Sequence, residues 1–348
     1  MLETITTRHN PLIDPQLSVW SWEIPVYLFL GGVVAGLMIL AGVAMLRTLR
    51  GDDTRRFFSV QTPLLAFVLI NLGMLALWLD LAHKLYVWRV YTTFQIGSPM
   101  SWGSWVLIVV YAVLVVSALY RLPASWPWLA TRVPAIERLA DALAANATAL
   151  RALAWSNIAL GAVLGLYTGV LLNTMVARPL WNSGILAPLF LLSGLSAGAA
   201  VLHLATKVLP GRPAPSTMIG GGLAALWQPL GGEPPEESSA DELLRADVVF
   251  LAIELVLIGL LLVNLMTSTP SHAAAASLLT SGMYAPAFWG VIIVLGIVVP
   301  LAMQALALGH RIAHSTVPAL LVLIGGFTLR WVMVQAGQSA GIVQAAAG

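Results

Sequence analysis

Eight long apolar runs decide how this polypeptide can fold. They cover about residues 24–46, 60–82, 103–120, 155–176, 185–206, 247–267, 286–307 and 315–336. Each is close to the roughly 20 residues that, at about 1.5 Å of rise apiece, cross the hydrocarbon core of a bilayer. A backbone amide in lipid has no water to bond, so a lone span must satisfy its own hydrogen bonds as a helix. The short-period alternation of a barrel strand is not seen in these runs. The expected fold is all-α, a polytopic membrane protein with eight transmembrane helices. Composition agrees, since only 9% of residues are charged and 59% are hydrophobic, against roughly a quarter charged in a soluble domain.

The basic residues fall between the runs and report topology. Twelve of the 17 Lys and Arg, from Arg47 to Arg311, lie after odd-numbered runs. Arg8, Lys84, Arg89 and Arg178 lie on the opposite side, and Arg330 is inside the last run. The positive-inside rule makes the first group cytoplasmic, which puts both termini on the periplasmic side of a bacterial or archaeal inner membrane. With that explanation the net charge of +2 gives no sign of a nucleic-acid partner. The first 20 residues are polar and lack a basic stretch followed by an apolar one, so the first run is expected to act as an uncleaved insertion signal. The chain has no cysteine, so it ligates no iron–sulfur cluster and forms no disulfide.

Two cytoplasmic connections are long. Residues 121–154 contain IERLADALAANATALRALA, which reads as a helix lying at the interface, while 207–246, with PGRPAPS and GGEPPEESSADE, reads as a loop. Gly220, Gly221 and Gly222 adjoin without the spacing or the lysine of a phosphate-binding loop.

An internal repeat divides the chain. FLGGVVAGLMIL (29–40) aligns with LLSGLSAGAAVL (191–202), pairing Gly32 with Gly194, Ala35 with Ala197 and Gly36 with Gly198. PMSWG (99–103) recurs as PAFWG (286–290). The pairs stand on runs 1 and 5, then 3 and 7, which cross the membrane in the same direction. The expectation is two four-helix bundles in parallel relation about an axis along the membrane normal. An outer segment, 1–23, would precede a first bundle, 24–176, and a second, 177–348, that includes the 207–246 loop. The small residues are read as close helix packing.

Chemistry concentrates between runs 2 and 3, in WLDLAHKLYVWRVYTTFQIGSPMSWG (78–103). On a continuous helix Asp80, His83 and Lys84 would share one face at i, i+3 and i+4. The same outer edge gathers Trp20, Trp22 and Glu23, then Trp88, Arg89, Ser98, Ser101 and Trp102, then Tyr167, Arg178, Trp181 and Asn182. Taken singly, the tryptophans suit an interfacial belt and the arginines suit snorkelling. Taken together, they suit a quinone head, whose two carbonyl oxygens accept two protons as two electrons arrive. His83 transfers protons near neutral pH, with Asp80 to orient it or supply the proton and Glu23 as an alternative acid. Haem is disfavoured: of the six histidines only His203 is well inside a run.

At these residues the chain resembles the NrfD-like family, the membrane subunits of polysulfide-reductase-type respiratory complexes. The resemblance is carried by PVYLFLGGVVAG (25–36), LDLAHKLYVWR (79–89), SPMSWGSW (98–105), GLYTGVLL (165–172), ARPLW (177–181) and LSGLSAG (192–198). It implies a haem-free anchor that binds menaquinone or ubiquinone. It also implies electron exchange with an extrinsic ferredoxin-like iron–sulfur subunit and, beyond that, a molybdopterin catalytic subunit or a multihaem cytochrome. The family's quinone site maps onto Trp22, Glu23, Asp80, His83 and the Ser98–Trp102 turn, with Tyr167 in the family's YTG segment. Where some members carry a histidine near the start of the first run, this sequence has Trp20, Trp22 and Glu23. Whether this polypeptide is itself an enzyme is left open by its residues. A different reading makes it a proton- or ion-translocating subunit, with Glu254, His203 and Arg330 as a path through three separate runs.

Overall fold

The structure is a computed structural model that describes residues 20–51, 56–125, 133–208, 237–311, 313 and 315–340. Among these residues eight helices are long and apolar enough to cross a membrane. They are α1 (Glu23–Thr48), α2 (Arg56–Asp80), α4 (Pro99–Ser125), α6 (Ala147–Asn173), α7 (Leu186–Val208), α8 (Glu237–Thr267), α10 (286–308) and α11 (Val317–Ser339). Three shorter helices complete the description: α3 (Trp88–Thr92), α5 (Pro134–Ala144) and α9 (Pro270–Thr280). Each apolar run has become one spanning helix. Residues 1–19, most of the 207–246 loop, Gly220 to Gly222 and the last eight residues lie outside the described residues.

The interface helix expected from 121–154 is divided. Asn146 accepts from the backbone N–H of Thr148 at 3.1 Å and of Ala149 at 3.0 Å, capping a new helix. Only α5 remains as the connecting piece, while Ala147 onward belongs to α6. An asparagine side chain satisfies two of the amides a helix start leaves open, so the helix breaks there.

Packing follows the small residues. α1 contacts α2, α6, α7 and α11; α4 contacts α2 and α6. In the later part α7 contacts α8 and α11, and α10 contacts the same two. Where α1 meets α7 the contact is backbone on backbone. A methyl added to Gly194 would sit 2.5 Å from the Gly32 carbonyl oxygen, one on Gly198 would sit 3.0 Å from the Gly36 carbonyl carbon, and one on Gly36 would strike the Gly194 carbonyl. The repeat thus places its glycines against one another, as the small-residue reading expects.

The two proline starts also correspond, and then differ. Pro99 opens α4 and Pro286 opens α10. Trp102 donates its indole N–H to the Ile96 carbonyl at 2.7 Å, and Trp289 donates to the Thr280 carbonyl at 3.0 Å. However, Pro286–Val298 is wound as a π-helix before α-helical winding resumes over Val299–Leu308. Windings of that kind are rare and usually confined to a single turn.

Candidate functional site

The stretch 78–103 does not continue α2 as one helix. α2 stops at Asp80, and His83 takes φ −115° and ψ 73° ahead of a short 3-10 turn, Lys84–Tyr86. Asp80, His83 and Lys84 therefore do not share a helical face. His83 is exposed, with its ring edge-on to Tyr86 at 6.3 Å. Arg89, also exposed, lies over Tyr86 at 4.8 Å and Trp88 at 5.6 Å. Lys84 stands 6.0 Å from the Trp78 ring.

The segment between α3 and the first turn of α4 is held by a net of hydrogen bonds to backbone. Ser101 accepts from the Gln95 N–H at 3.0 Å and donates to the Thr93 carbonyl at 3.4 Å. Ser104 reaches the Val90 carbonyl at 3.0 Å. Tyr167 donates to the Pro99 carbonyl at 2.9 Å, and its ring fills the place of a side chain at Gly103. Ser98 contributes its backbone at this turn, where the Ser101 N–H bonds its carbonyl at 3.0 Å. Trp102 is exposed, with its indole N–H committed to Ile96. These bonds fix the shape of the loop, and Tyr167 acts on it from behind.

Two carboxylates at this edge belong to different helices. Glu23 begins α1, where an acid suits the positive end of the helix dipole, and Asp80 ends α2. They lie close enough for Glu23, with Lys84, to act on the charge of Asp80. Glu23 Oε2 is buried and has no hydrogen-bond partner among the described residues. Trp22 next to it is 50% exposed. Behind them Tyr27, Tyr91, Tyr111 and Tyr167, one each from α1, α3, α4 and α6, are gathered around Tyr27. Burial pushes the Tyr91 hydroxyl above the ordinary phenol value. Of these four, sequence reading singled out only Tyr167.

Arg178 and the nearby tryptophans are committed elsewhere. Arg178 donates to the Gln338 carbonyl at 2.8 Å and the Ala340 carbonyl at 3.3 Å, closing the end of α11. Trp181 is buried, donates to the Met333 carbonyl at 2.7 Å and stacks on Trp20 at 5.1 Å. Trp20 is also held by Gln338, which accepts from its N–H and donates to its carbonyl, each at 2.9 Å. The residues just before α1 are thereby pinned to the last helix.

The three residues read as a path lie in a second cluster, remote from the 78–103 loop. Arg330 is 1% exposed; it donates to the Ser193 hydroxyl, to the Phe190 carbonyl at 3.0 Å and to the Gly326 carbonyl at 3.2 Å. The buried carboxylate of Glu254 lies near enough to Ser193 and Arg330 to interact with both. His203 meets the Ser315 carbonyl at 3.2 Å through Nε2. Sequence reading missed Asp247, which is 4% exposed, accepts from Ser196 at 2.5 Å and accepts from Gln304 at 2.7 Å. Its spacing of seven from Glu254 was the available signal.

Known proteins resemble the sequence along nearly its whole length. The family model described as polysulphide reductase, NrfD, matches residues 9–221, and a second one described as polysulfide reductase matches 221–345. The C chain of the polysulfide reductase of Wolinella succinogenes is 29% identical over 330 residues, covering 92% of this protein and 95% of that one. Protein NrfD of Escherichia coli is 28% identical over 342 residues, covering 92% and 95%, and the NrfD homolog of Haemophilus influenzae is 25% identical over 334 residues, covering 94% and 97%.

Proposed function

The chain belongs to the NrfD polysulphide reductase family, and on that footing we propose that it is the membrane anchor and quinone-binding electron-transfer subunit of a respiratory oxidoreductase complex. A relative named as one chain of polysulfide reductase supports membership in an assembly of several subunits. The partner that delivers or collects electrons is an extrinsic ferredoxin-like iron–sulfur subunit at the outer face. A molybdopterin enzyme or multihaem cytochrome lies beyond it. The helix contacts support two rings of four, α1–α2–α4–α6 and α7–α8–α10–α11, back to back along α1 and α7. They correspond to units 24–176 and 177–348 in parallel relation, with both termini periplasmic by the distribution of Lys and Arg.

The observation that carries the quinone reading is the buried, unpartnered Glu23 Oε2 beside Asp80, at the edge of an apolar ring of helices. An orphaned buried oxygen is costly unless a further group completes it. A quinone head fits this setting, and when bound it supplies two-electron chemistry linked to two protons. Glu23 and Asp80 hold those protons at their carboxyl oxygens, and His83, exposed at the loop, exchanges them with the outer aqueous phase. Trp22 and Trp102 would offer flat apolar walls to the head, and Arg89, held over Tyr86 and Trp88, would offer it a cation. Ser98 and Tyr167 shape the turn, and Arg178 fixes the end of α11 that borders the site.

The test is quinol-linked electron transfer by the purified complex carrying Asp80→Asn with His83→Ala, beside extraction of bound quinone. Turnover is expected to fall at least tenfold with the complex intact. Unchanged turnover together with quinone-free protein would sink the site and the function.

A further inference from the structure

Asp247 on α8 is 4% exposed, and among the described residues its carboxylate is held by two neutral donors. Ser196 Oγ of α7 donates to it at 2.5 Å and Gln304 Nε2 of α10 at 2.7 Å. Two other acids of α8 are matched by bases. Glu242 pairs with Arg47 at 2.7 Å, and Glu254 lies within the influence of Arg330. Neutral donors satisfy the lone pairs of a carboxylate but leave its net charge in place, which is costly inside a helix bundle. Asp247 is thus a buried acid that the chain supplies with hydrogen bonds and not with a countercharge.

A second, independent feature stands beside it. Gln304 is 3% exposed, gives its amide N–H to Asp247, and leaves its own Oε1 buried without a hydrogen-bond partner. Both residues line a recess at the end of the molecule remote from the 78–103 loop, together with His203, Leu243, Ser315 and Pro318. The recess has room for about one water-sized particle. Ser315 lies in the non-helical connection before α11, and its carbonyl meets His203 Nε2 at 3.2 Å in the same wall. Unwound backbone carbonyls of this kind serve as sodium ligands in membrane transporters. A proton on Asp247 would cancel its charge and leave the Gln304 oxygen as it is; a water would meet the oxygen and leave the charge. A small cation answers both.

We propose that this recess is a binding site for one alkali cation, sodium by its size, held by the Asp247 carboxylate, Gln304 Oε1 and the Ser315 carbonyl. The donor set selects the class of ion. No three His, Cys, Asp or Glu gather as transition-metal ligands among the described residues. All three donors are hard oxygens, which suit an ion that forms no directional bonds. A single carboxylate balances a single positive charge, whereas calcium and magnesium sites draw on more oxygens or retain their water. The ion joins α8, α10 and the connection into α11, so it acts as a clamp on the end of the second half. This site stands independently of the quinone function proposed above.

The test titrates the intact complex in lipid nanodiscs with sodium chloride, while choline chloride holds the ionic strength constant and no electron donor is added. Sodium should raise the unfolding midpoint of this chain by about 2 °C or more near saturation. Uptake of radioactive sodium should saturate at one ion per chain. Asp247→Asn, which keeps a polar group against Ser196 and Gln304 and removes the charge, should raise the apparent Kd for sodium at least about tenfold. Gln304→Met, which removes Oε1 and leaves the acid, should weaken binding by a smaller factor, and it decides alone if Asp247→Asn fails to assemble. A midpoint indifferent to sodium overturns the site. So does a sodium response of the same size and affinity in these variants. Because no turnover is measured, failure of the quinone reading would leave this result untouched.

Discussion

The two ends of the repeat use polar residues in opposite ways. Around 78–103 most side-chain bonds go to backbone carbonyls of one loop, and His83 and Arg89 are exposed. In the later helices the polar groups are buried and bond one another across α7, α8, α10 and α11. Gly103 is packed by Tyr167, whereas its counterpart Gly290 would meet nothing with an added methyl. One half shapes a surface and the other stores charge inside it. A repeated scaffold can therefore direct its polar bonds outward in one copy and inward in the other.

The sharpest way to break this contrast is to remove Arg330. Arg330→Met leaves Glu254 buried without its cation, and loss of one partner from a buried pair costs about 3–5 kcal/mol. Thermal unfolding in detergent should show it as the largest shift of the set. The double variant Arg330→Met with Glu254→Gln should recover much of the loss, and failure to recover would deny that the two buried charges act on each other. Next comes Gly36→Leu, which drives a side chain into the Gly194 carbonyl. Overpacking of this kind costs about 1–3 kcal/mol and should separate α1 from α7, seen as increased cross-linking access at that seam. Smaller again is Trp181→Phe, which loses the bond to Met333 and is expected to cost about 1 kcal/mol. Tyr167→Phe is the smallest in stability, about 0.5 kcal/mol for a part-buried bond, yet it frees the Pro99 turn. It should raise the KM for quinol more than it lowers kcat, and an equal effect of Trp181→Phe on that KM would erase the distinction between the halves.

Much of the fold was legible because a bilayer enforces length: an apolar run has to become a spanning helix. The glycine contacts were legible because the repeat aligned them. Asp247 was hidden by its place at the first residue of an apolar run, where it reads as an interfacial group. α8 in fact begins at Glu237, ten residues earlier, and carries Asp247 into the bundle. The supposed face of Asp80, His83 and Lys84 failed because helix periodicity was extended past the point where α2 ends. The four tyrosines gave no local pattern at all, since each comes from a different helix and only the tertiary arrangement brings them together.

The glycine seam between α1 and α7 has a mechanical meaning. Side chains at an ordinary helix contact absorb a small displacement by changing rotamer. At Gly32, Gly36, Gly194 and Gly198 the backbones themselves touch, and no rotamers are available there. A shift of one helix is then transmitted undamped to its neighbour. α1 begins at Glu23, and α7 bears Ser193, which accepts from Arg330. The seam is a rigid lever joining the outer edge of the molecule to its buried charges.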